Sequence, residues 1–210
     1  MIKIITTSDG SHSLLNTTLD ETYHSRHGAV QESLHVFIKN GLDFFAEKYP
    51  GKLIRIFEVG FGTGLNALLS LLTGHKIEYT SVEAFPLEPE IYRELNYEPK
   101  DVLQTLHENQ QLERGNFKLK KIHSTLQEIP LPTNSFDIIY FDAFAPSKQP
   151  SMWEFPMIEK VCDALTPGGL FVTYCAKGQL KRDLKSLGME VETLAGPPGK
   201  KEMVRGTKTR

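Results

Sequence analysis

The sequence is poor in cysteine, with only Cys162 and Cys175 among its 210 residues. The two are not spaced as CxxC and have no histidines beside them, so neither a disulfide scaffold nor a structural zinc site is supported. We expect reduced, buried thiols. The seven histidines are scattered, and His24 and His27 are predicted to lie on a loop surface. No metal site is therefore expected.

Long apolar runs are missing as well. None approaches the ~18 residues that a membrane-spanning helix needs. The amino end turns polar after five residues, which is too short for the apolar core of a signal peptide. We therefore expect a cytoplasmic protein without a membrane partner. With 40% apolar and 24% charged residues, the composition is that of a globular protein and excludes disordered and coiled-coil classes.

The sequence has little excess charge, since the formal net charge is −2. The distribution is uneven, however, because the segment from Lys177 to Arg210 holds nine basic and four acidic residues. The overall balance argues against indiscriminate binding of nucleic acid. The basic carboxyl-terminal segment could still hold a phosphate backbone at moderate salt.

Strand and helix patterns alternate through most of the sequence, which predicts an α/β fold built on a mostly parallel sheet. Seven strands are expected, at residues 53–59, 76–82, 117–122, 136–141, 169–174, 189–194 and 202–207. The last two are joined by Gly196-Pro-Pro-Gly199 and are predicted to pair antiparallel. The sheet should therefore end in an antiparallel strand.

We assign residues 51–210 to this α/β domain and residues 1–50 to an N-terminal extension. Residues 6–23 are rich in Ser, Thr and Asp with weak alternation, which suits a hairpin, and residues 31–48 carry apolar side chains at helical spacing. We expect the extension to pack over the mouth of the site.

A glycine-rich segment, Glu58-Val-Gly60-Phe-Gly62-Thr-Gly64-Leu-Asn66, lies between a predicted strand and a predicted helix. Glycines let the chain turn sharply and bring backbone N–H groups against a ligand. Glu83 ends the next strand, where nucleotide-binding α/β folds place a carboxylate on the ribose hydroxyls. A purely structural turn and a solvated strand end are the alternative interpretations.

Glu58 narrows the choice of nucleoside ligand. A carboxylate just before the first glycine is badly placed for a pyrophosphate but suits a cationic group, such as the amino acid end of S-adenosylmethionine. Glu58 could instead accept hydrogen bonds from backbone N–H groups at the strand end.

A second carboxylate, Asp142, follows the strand at 136–141 and falls on the same sheet edge as Gly60 and Glu83. It could orient an amine and stabilise positive charge that develops on the nitrogen. The loop after it carries Phe144, Pro146 and Trp153, which could form a flat wall for a planar base. Alternatively, Phe144 and Trp153 anchor the loop in the core.

Together these residues resemble a known family, the S-adenosylmethionine-dependent tRNA 5-methylaminomethyl-2-thiouridine methyltransferases. The resemblance covers nearly the whole chain. Its marks are Tyr23-His-Ser-Arg-His-Gly-Ala-Val-Gln-Glu32-Ser, the glycine-rich segment, Ser81-Val-Glu-Ala-Phe-Pro-Leu87, Asp142-Ala-Phe-Ala-Pro-Ser-Lys-Gln-Pro-Ser-Met-Trp153, Thr173-Tyr-Cys-Ala-Lys-Gly178 and Gly199-Lys-Lys-Glu-Met203. The Asp142-to-Trp153 segment and the closing Lys-Lys-Glu-Met are the most discriminating.

The resemblance implies a Rossmann-like class I methyltransferase that methylates the exocyclic amine of 5-aminomethyl-(2-thio)uridine at the wobble position. S-adenosylmethionine would be held by Glu58, Gly60, Gly62, Gly64, Asn66 and Glu83, with Asp142 at the transfer site. The substrate would lie against Phe144, Pro146 and Trp153. The anticodon stem-loop of tRNA would rest on Lys177, Lys181, Lys200, Lys201 and Arg205. No second glycine fingerprint follows, so we expect no flavin oxidoreductase half.

Other functions stay open at this point. One is an amine methyltransferase for a small metabolite, and another is a nucleotide-binding protein without catalysis in which Asp142 braces a loop. A dehydrogenase is the weakest alternative because of Glu58. The sequence leaves the oligomeric state open.

Overall fold

The computed structural model describes residues 1–209. Its centre is an eight-stranded sheet, which follows three short strands, β1 to β3, near the amino end. The eight strands are β4 Ile54–Val59, β5 Ile77–Glu83, β6 Gln111–Arg114, β7 Phe117–His123, β8 Phe136–Phe141, β9 Leu165–Thr173, β10 Met189–Ala195 and β11 Glu202–Lys208. Their order in the sheet is β10-β11-β9-β8-β4-β5-β7-β6. The five strands β9, β8, β4, β5 and β7 are parallel, whereas β11 runs antiparallel to both of its neighbours.

The α/β class, the mostly parallel sheet and the antiparallel last strand are thus confirmed. All seven expected strands are present, and the structure adds β6, which pairs antiparallel with β7 at the sheet edge. The sequence of β6 is polar and three of its four residues are exposed. An exposed edge strand has no buried face, so it leaves no apolar alternation to detect.

Helices cover both faces of the sheet: α3 Leu65–Leu72, α4 Pro89–Tyr92, α5 Lys100–Glu108, α6 Phe155–Ala164 and α7 Gly178–Ser186. A 3₁₀ turn at Pro150–Trp153 precedes α6. The core has two halves, one on each side of the sheet. Both cysteines are free and buried, as expected. Within residues 1–209, no helix is long and apolar enough to span a membrane.

The first fifty residues form a small antiparallel sheet and a long helical segment. The sheet contains β1 Ile2–Thr6, β2 His12–Asn16 and β3 Glu21–Thr22. The helical segment runs without a break through α1 Ala29–Ser33, a π-helix at Leu34–Asp43 and α2 Phe44–Lys48.

The π-helix packs its apolar side chains against the main sheet. Gly41 allows this approach, because a Cβ there would lie 3.3 Å from the Tyr140 ring and from the Val172 side chain. π-turns leave some carbonyls without their usual α-helical partners. Here the Asn40 amide donates to the His35 carbonyl at 2.7 Å, and the Arg205 guanidinium donates to the Asn40 carbonyl at 3.1 Å.

Candidate active site

A cavity of about 1040 Å³ opens at the carboxyl ends of β4, β5 and β8. In an open parallel sheet this is the edge at which ligands bind, because the loops there separate around the strand ends. The glycine-rich loop forms one wall, the loop after β8 another, and residues of the N-terminal extension a third. The extension therefore contributes side chains to the site.

The glycine-rich loop follows β4 and leads into α3. Gly60 has a φ of 89°, and a Cβ there would lie 3.1 Å from the Asp142 carbonyl oxygen, so only glycine fits without strain. The Gly62 N–H donates to Glu83 Oε2 at 2.9 Å, and the Phe85 N–H donates to Glu83 Oε1 at 2.8 Å. Each carboxylate oxygen keeps a further acceptor site that a ligand can use.

Asn66, in the first turn of α3, joins two carboxyl groups. Its Nδ2 donates to Asp142 Oδ2 at 2.9 Å and to Glu58 Oε1 at 3.1 Å. Glu58 is completely buried, and the Ser81 hydroxyl lies 2.9 Å from its other carboxyl oxygen. The Asn66 amide is thereby fixed in one orientation, with its own oxygen buried and without a protein partner.

Burial raises the pKa of both carboxyl groups. Burial, followed by the charge of Asp142, raises the pKa of Glu58 well above its usual range, which favours its neutral form. Burial and then the charge of Glu32 raise the pKa of Asp142 to about 7, against the hydrogen bond from Asn66 and the charge of Lys200. Asp142 is therefore the group that exchanges a proton near pH 7.

Phe144, two residues after Asp142, forms an aromatic wall of the cavity. The Tyr23 ring meets it edge-on at 5.0 Å between centroids. Trp153 holds this loop from behind, because its indole N–H donates to the Phe144 carbonyl at 2.8 Å and its ring packs against Phe141 at 4.9 Å. The alternative interpretation of Trp153 as a loop anchor agrees with this placement.

Several predicted site residues lie in the cavity wall: Gly60, Gly62, Asn66, Glu83, Asp142, Phe144 and Lys200. Others do not. Glu58 lies beneath the wall and reaches it only through Asn66, so its predicted direct contact with a ligand is not what the structure supports. Gly64 caps α3 with a φ of 74°, and a Cβ there would meet His107 and Phe61 at 3.1 Å. Pro146, Trp153 and Lys201 also lie outside the wall.

The basic carboxyl-terminal segment also differs from its prediction. Arg205 is 6% exposed and bonds Glu192 through two nitrogens, at 2.9 and 3.1 Å, so it cannot receive phosphates. Lys181 pairs with Glu202 at 2.9 Å, and Lys200 turns inward to pair with Glu32. Lys177 and Lys201 are exposed.

The extension supplies site residues that sequence reasoning did not assign: Tyr23, His24 and Glu32 line the cavity. Tyr23 and Glu32 belong to a segment that marked the family resemblance, which was the only available signal. The prediction of His24 as a surface residue is wrong. It is 8% exposed, and its Nε2 lies 2.8 Å from the Thr63 hydroxyl in the glycine-rich loop.

An open parallel sheet with a glycine-rich loop after one strand and a carboxylate at the end of the next defines a Rossmann-like protein that binds a nucleoside cofactor. Comparison with known protein families defines a narrower class than the fold does. The chain belongs to the S-adenosyl-L-methionine-dependent methyltransferase family, whose sequence profile matches residues 89–209.

The chain is similar to bacterial proteins described as the tRNA 5-methylaminomethyl-2-thiouridine biosynthesis bifunctional protein MnmC. It is 29% identical over 215 residues to that of Chromobacterium violaceum, covering 91% of this chain and 33% of the relative. With that of Pseudoalteromonas atlantica it is 31% identical over 220 residues, covering 90% and 31%. The chain thus spans about a third of the length of these curated relatives.

Among solved structures, MNMC2 from Aquifex aeolicus superposes with a TM-score of 0.83 at 25% identity, covering all 100% of this chain and 72% of that one. Spermidine synthase from Thermotoga maritima gives a TM-score of 0.59 at 14% identity, covering 98% and 72%, which shows a shared fold alone. The resemblance drawn from the sequence motifs is confirmed by these matches.

The cavity fits the cofactor of the family. The unpartnered Asn66 oxygen offers an acceptor for an ammonium group, and the Glu83 carboxylate offers acceptors for hydroxyl groups. The glycine-rich loop between them has the sharp, side-chain-free turns that let backbone approach a ligand closely.

Proposed function

We propose that this protein transfers a methyl group to the exocyclic amine of 5-aminomethyl-(2-thio)uridine at the wobble position of tRNA, and so forms the methylaminomethyl base. The observation that carries the proposal is Asp142, a carboxyl group in the cavity wall whose pKa is about 7, beside the aromatic wall of Phe144. The names of the similar proteins support the same substrate. Action on tRNA would place the protein in the cytoplasm.

Glu83 and Asn66 are the residues that would hold the cofactor most directly, through its ribose hydroxyls and its amino group. Gly60 and Gly62 would pass their backbone beneath it. Glu58 would act indirectly by fixing the Asn66 amide, and Gly64 by shaping the start of α3. S-adenosyl-L-methionine supplies an electrophilic methyl group when it is bound.

Asp142 would act on the substrate amine. An aminomethyl group carries a proton near neutral pH, and only the neutral amine has a lone pair for attack. Asp142, with its pKa near 7, can accept that proton at its carboxylate and pass it on to solvent, and the regained carboxylate keeps a hydrogen bond to an N–H of the neutral amine. As the nitrogen becomes cationic on methylation, the nearby carboxylate stabilises the developing charge. Holding the nitrogen in line with the methyl carbon supplies much of the remaining rate.

The planar base would stack against Phe144, which Tyr23 and Trp153 hold in place. The phosphates would contact the exposed cations Lys177 and Lys201. The N-terminal extension, residues 1–50, would act as part of the site, since Tyr23 and Glu32 reach the cavity. These assignments give the extension a role in binding the base.

The test is methyl transfer from radiolabelled S-adenosyl-L-methionine to tRNA that carries aminomethyluridine, with tRNA lacking the aminomethyl group as the negative substrate. We expect label in the wobble nucleoside, identified by mass spectrometry after digestion. Asp142→Ala should abolish transfer while cofactor affinity stays within about tenfold, the scale of one lost contact. Asp163→Ala, an exposed acid outside the cavity, is the matched control.

Label that appears only in small amines would refute tRNA as the substrate and favour a small-metabolite amine methyltransferase. Full activity of Asp142→Ala would remove Asp142 from the transfer step. Cofactor binding without transfer to any amine would favour a nucleotide-binding protein without catalysis.

A further inference from the structure

The N-terminal extension and the loop before β11 meet above Asp142. Glu32, in α1, is 4% exposed and lies far in sequence from the glycine-rich loop and from Asp142. One of its carboxyl oxygens accepts the Ser25 N–H at 2.6 Å. The other oxygen forms an ion pair with Lys200 Nζ. A buried carboxylate is costly without such a partner, so the pair ties two distant chain segments together.

Lys200 makes a second contact, which connects it to the loop after β8 that carries Asp142. Its Nζ lies 3.8 Å from the centroid of the Tyr174 ring, a cation–π arrangement. The Tyr174 hydroxyl donates to the carbonyl of Ala143 at 2.8 Å, and Ala143 is the neighbour of Asp142. A continuous set of contacts therefore runs from Glu32 through Lys200 and Tyr174 to the backbone beside Asp142.

The loop that carries Lys200 is seated closely on the extension. Gly199 has a φ of 83°, and any side chain at this position would collide with the His27 ring. This close contact between Gly199 and His27 fixes the point at which the Lys200 side chain enters the cavity. Both Glu32 and Lys200 line the same cavity wall as Asp142.

We propose that Glu32 and Lys200 are a positioning pair for methyl transfer, which holds the loop of Asp142 through Tyr174 and places two opposite charges in the same cavity wall as its carboxyl group. The inference rests on the proposed function for its consequence in catalysis. The electrostatic part concerns only this chain and can be tested without a substrate.

The groups that face Asp142 come from every element around it. Glu58 and Asn66 approach from beneath, Glu32 from the extension, Lys200 from the loop before β11, and Tyr174 from the end of β9. His24 lies close enough to Glu32 and Lys200 to feel both charges, but it is held neutral by burial. Burial raises the pKa of Glu58 and so favours its neutral form. Glu32 and Lys200 are thus the two charges that bear on Asp142.

Their effects on Asp142 have opposite signs. The negative charge of Glu32 raises the pKa of Asp142, and the positive charge of Lys200 lowers it. Replacing Glu32 by Gln should therefore lower the pKa of Asp142, and replacing Lys200 by Met should raise it. Close charges shift a carboxyl pKa by about one pH unit or more, so both changes are measurable. A general loosening of the site that admits water would instead move the pKa of Asp142 in the same direction in both variants.

The experiment titrates the Asp142 carboxyl carbon by NMR in protein labelled with ¹³C-aspartate, with the signal assigned by its loss in Asp142→Asn. We expect a shift of about one pH unit downward in Glu32→Gln and about one upward in Lys200→Met. Glu47→Gln and Lys39→Met make the same charge changes at exposed positions and should leave the titration unchanged.

The same variants are then assayed for the pH dependence of kcat/KM on aminomethyl tRNA, whose acid limb should move with the NMR titration. Shifts of equal sign, or no shift in either variant, would overturn the inference. Should Glu32→Gln fail to fold, Lys200→Met decides the sign alone, because Lys200 is on a loop and only part-buried. If NMR shows the opposite shifts but the wild-type protein does not methylate tRNA, the proposed function fails and the charge coupling stands.

Discussion

Two histidines, the buried His24 and the half-buried His107, both contact Thr63 in the glycine-rich loop, and this makes the fold sensitive to acid. His24 Nε2 lies 2.8 Å from the Thr63 hydroxyl, and His107 Nε2 donates to the Thr63 carbonyl at 3.0 Å. Burial lowers the pKa of each to about 4, from an ordinary value of 6.5. In the unfolded chain both histidines regain the ordinary pKa, so acid protonates them there first.

The sign and size of the effect follow from these values. A folded-state pKa below the unfolded-state pKa means that the stabilisation is fully present above pH 6.5 and is lost as the pH falls towards 4. At pH 5 each histidine should cost about 2 kcal/mol of unfolding free energy relative to pH 7. The two together amount to about 4 kcal/mol, or a fall in Tm of roughly 10 °C for a chain of this size.

The assay is thermal unfolding at pH 7 and pH 5, with the difference in unfolding free energy as the measured quantity. His24→Gln and His107→Gln should each remove about half of the acid-induced loss that these two residues cause. His123→Gln, at an exposed position, is the matched control and should retain the whole loss. If His24→Gln and His107→Gln both keep the pH dependence of the wild type, the assignment of acid sensitivity to these two histidines is refuted.

Two further predictions concern the substrate side. Trp153→Phe removes the hydrogen bond to the Phe144 carbonyl but keeps an aromatic ring, so stability should fall by about 1 kcal/mol in urea unfolding, and KM for tRNA should rise while cofactor affinity stays unchanged. Arg205→Met should cost about 1 kcal/mol of stability, because the Glu192 side chain is 40% exposed and water can replace its partner, whereas Lys201→Met should weaken tRNA binding in a filter assay with no change in Tm. An equal loss of tRNA affinity in folded Arg205→Met would contradict this division.

The central sheet could be predicted because its strands are local signals. Residues 54–59 and 136–141 are mostly apolar runs that are followed directly by Gly60 and by Asp142, and parallel strands place their carboxyl ends at one edge. The meeting of Gly60, Glu83 and Asp142 follows from that rule alone. The π-helix was not predictable, since its apolar spacing reads as an ordinary helix and the groups that satisfy it, such as Arg205, come from the end of the chain.

The roles of the acidic residues depend on tertiary contacts that no sequence pattern reveals. Glu58 and Asp142 are both strand-end carboxylates, and only the burial of one and the cavity exposure of the other decide which of them titrates near pH 7. Glu32 and Lys200 are separated by 168 positions, so no local pattern links them. Glu32 and Lys200 meet because the fold places the N-terminal extension next to the loop before β11, and this placement depends on the topology of the whole chain.

Several basic side chains of the carboxyl-terminal segment are paired within the protein, so they are not free to bind phosphates. Arg205 and Lys181 are paired with glutamates, Lys200 faces Glu32, and Lys208 donates to three backbone carbonyls. These cations hold the last strands in place. Because they are already paired, they would not neutralise phosphates or displace the counterions of a nucleic acid. Fewer free cations mean weaker phosphate contacts than the composition suggests. Under the proposed function, selective binding of tRNA would then depend more on the stacked base at Phe144 and on the amine at Asp142, the contacts that would recognise the modified nucleoside.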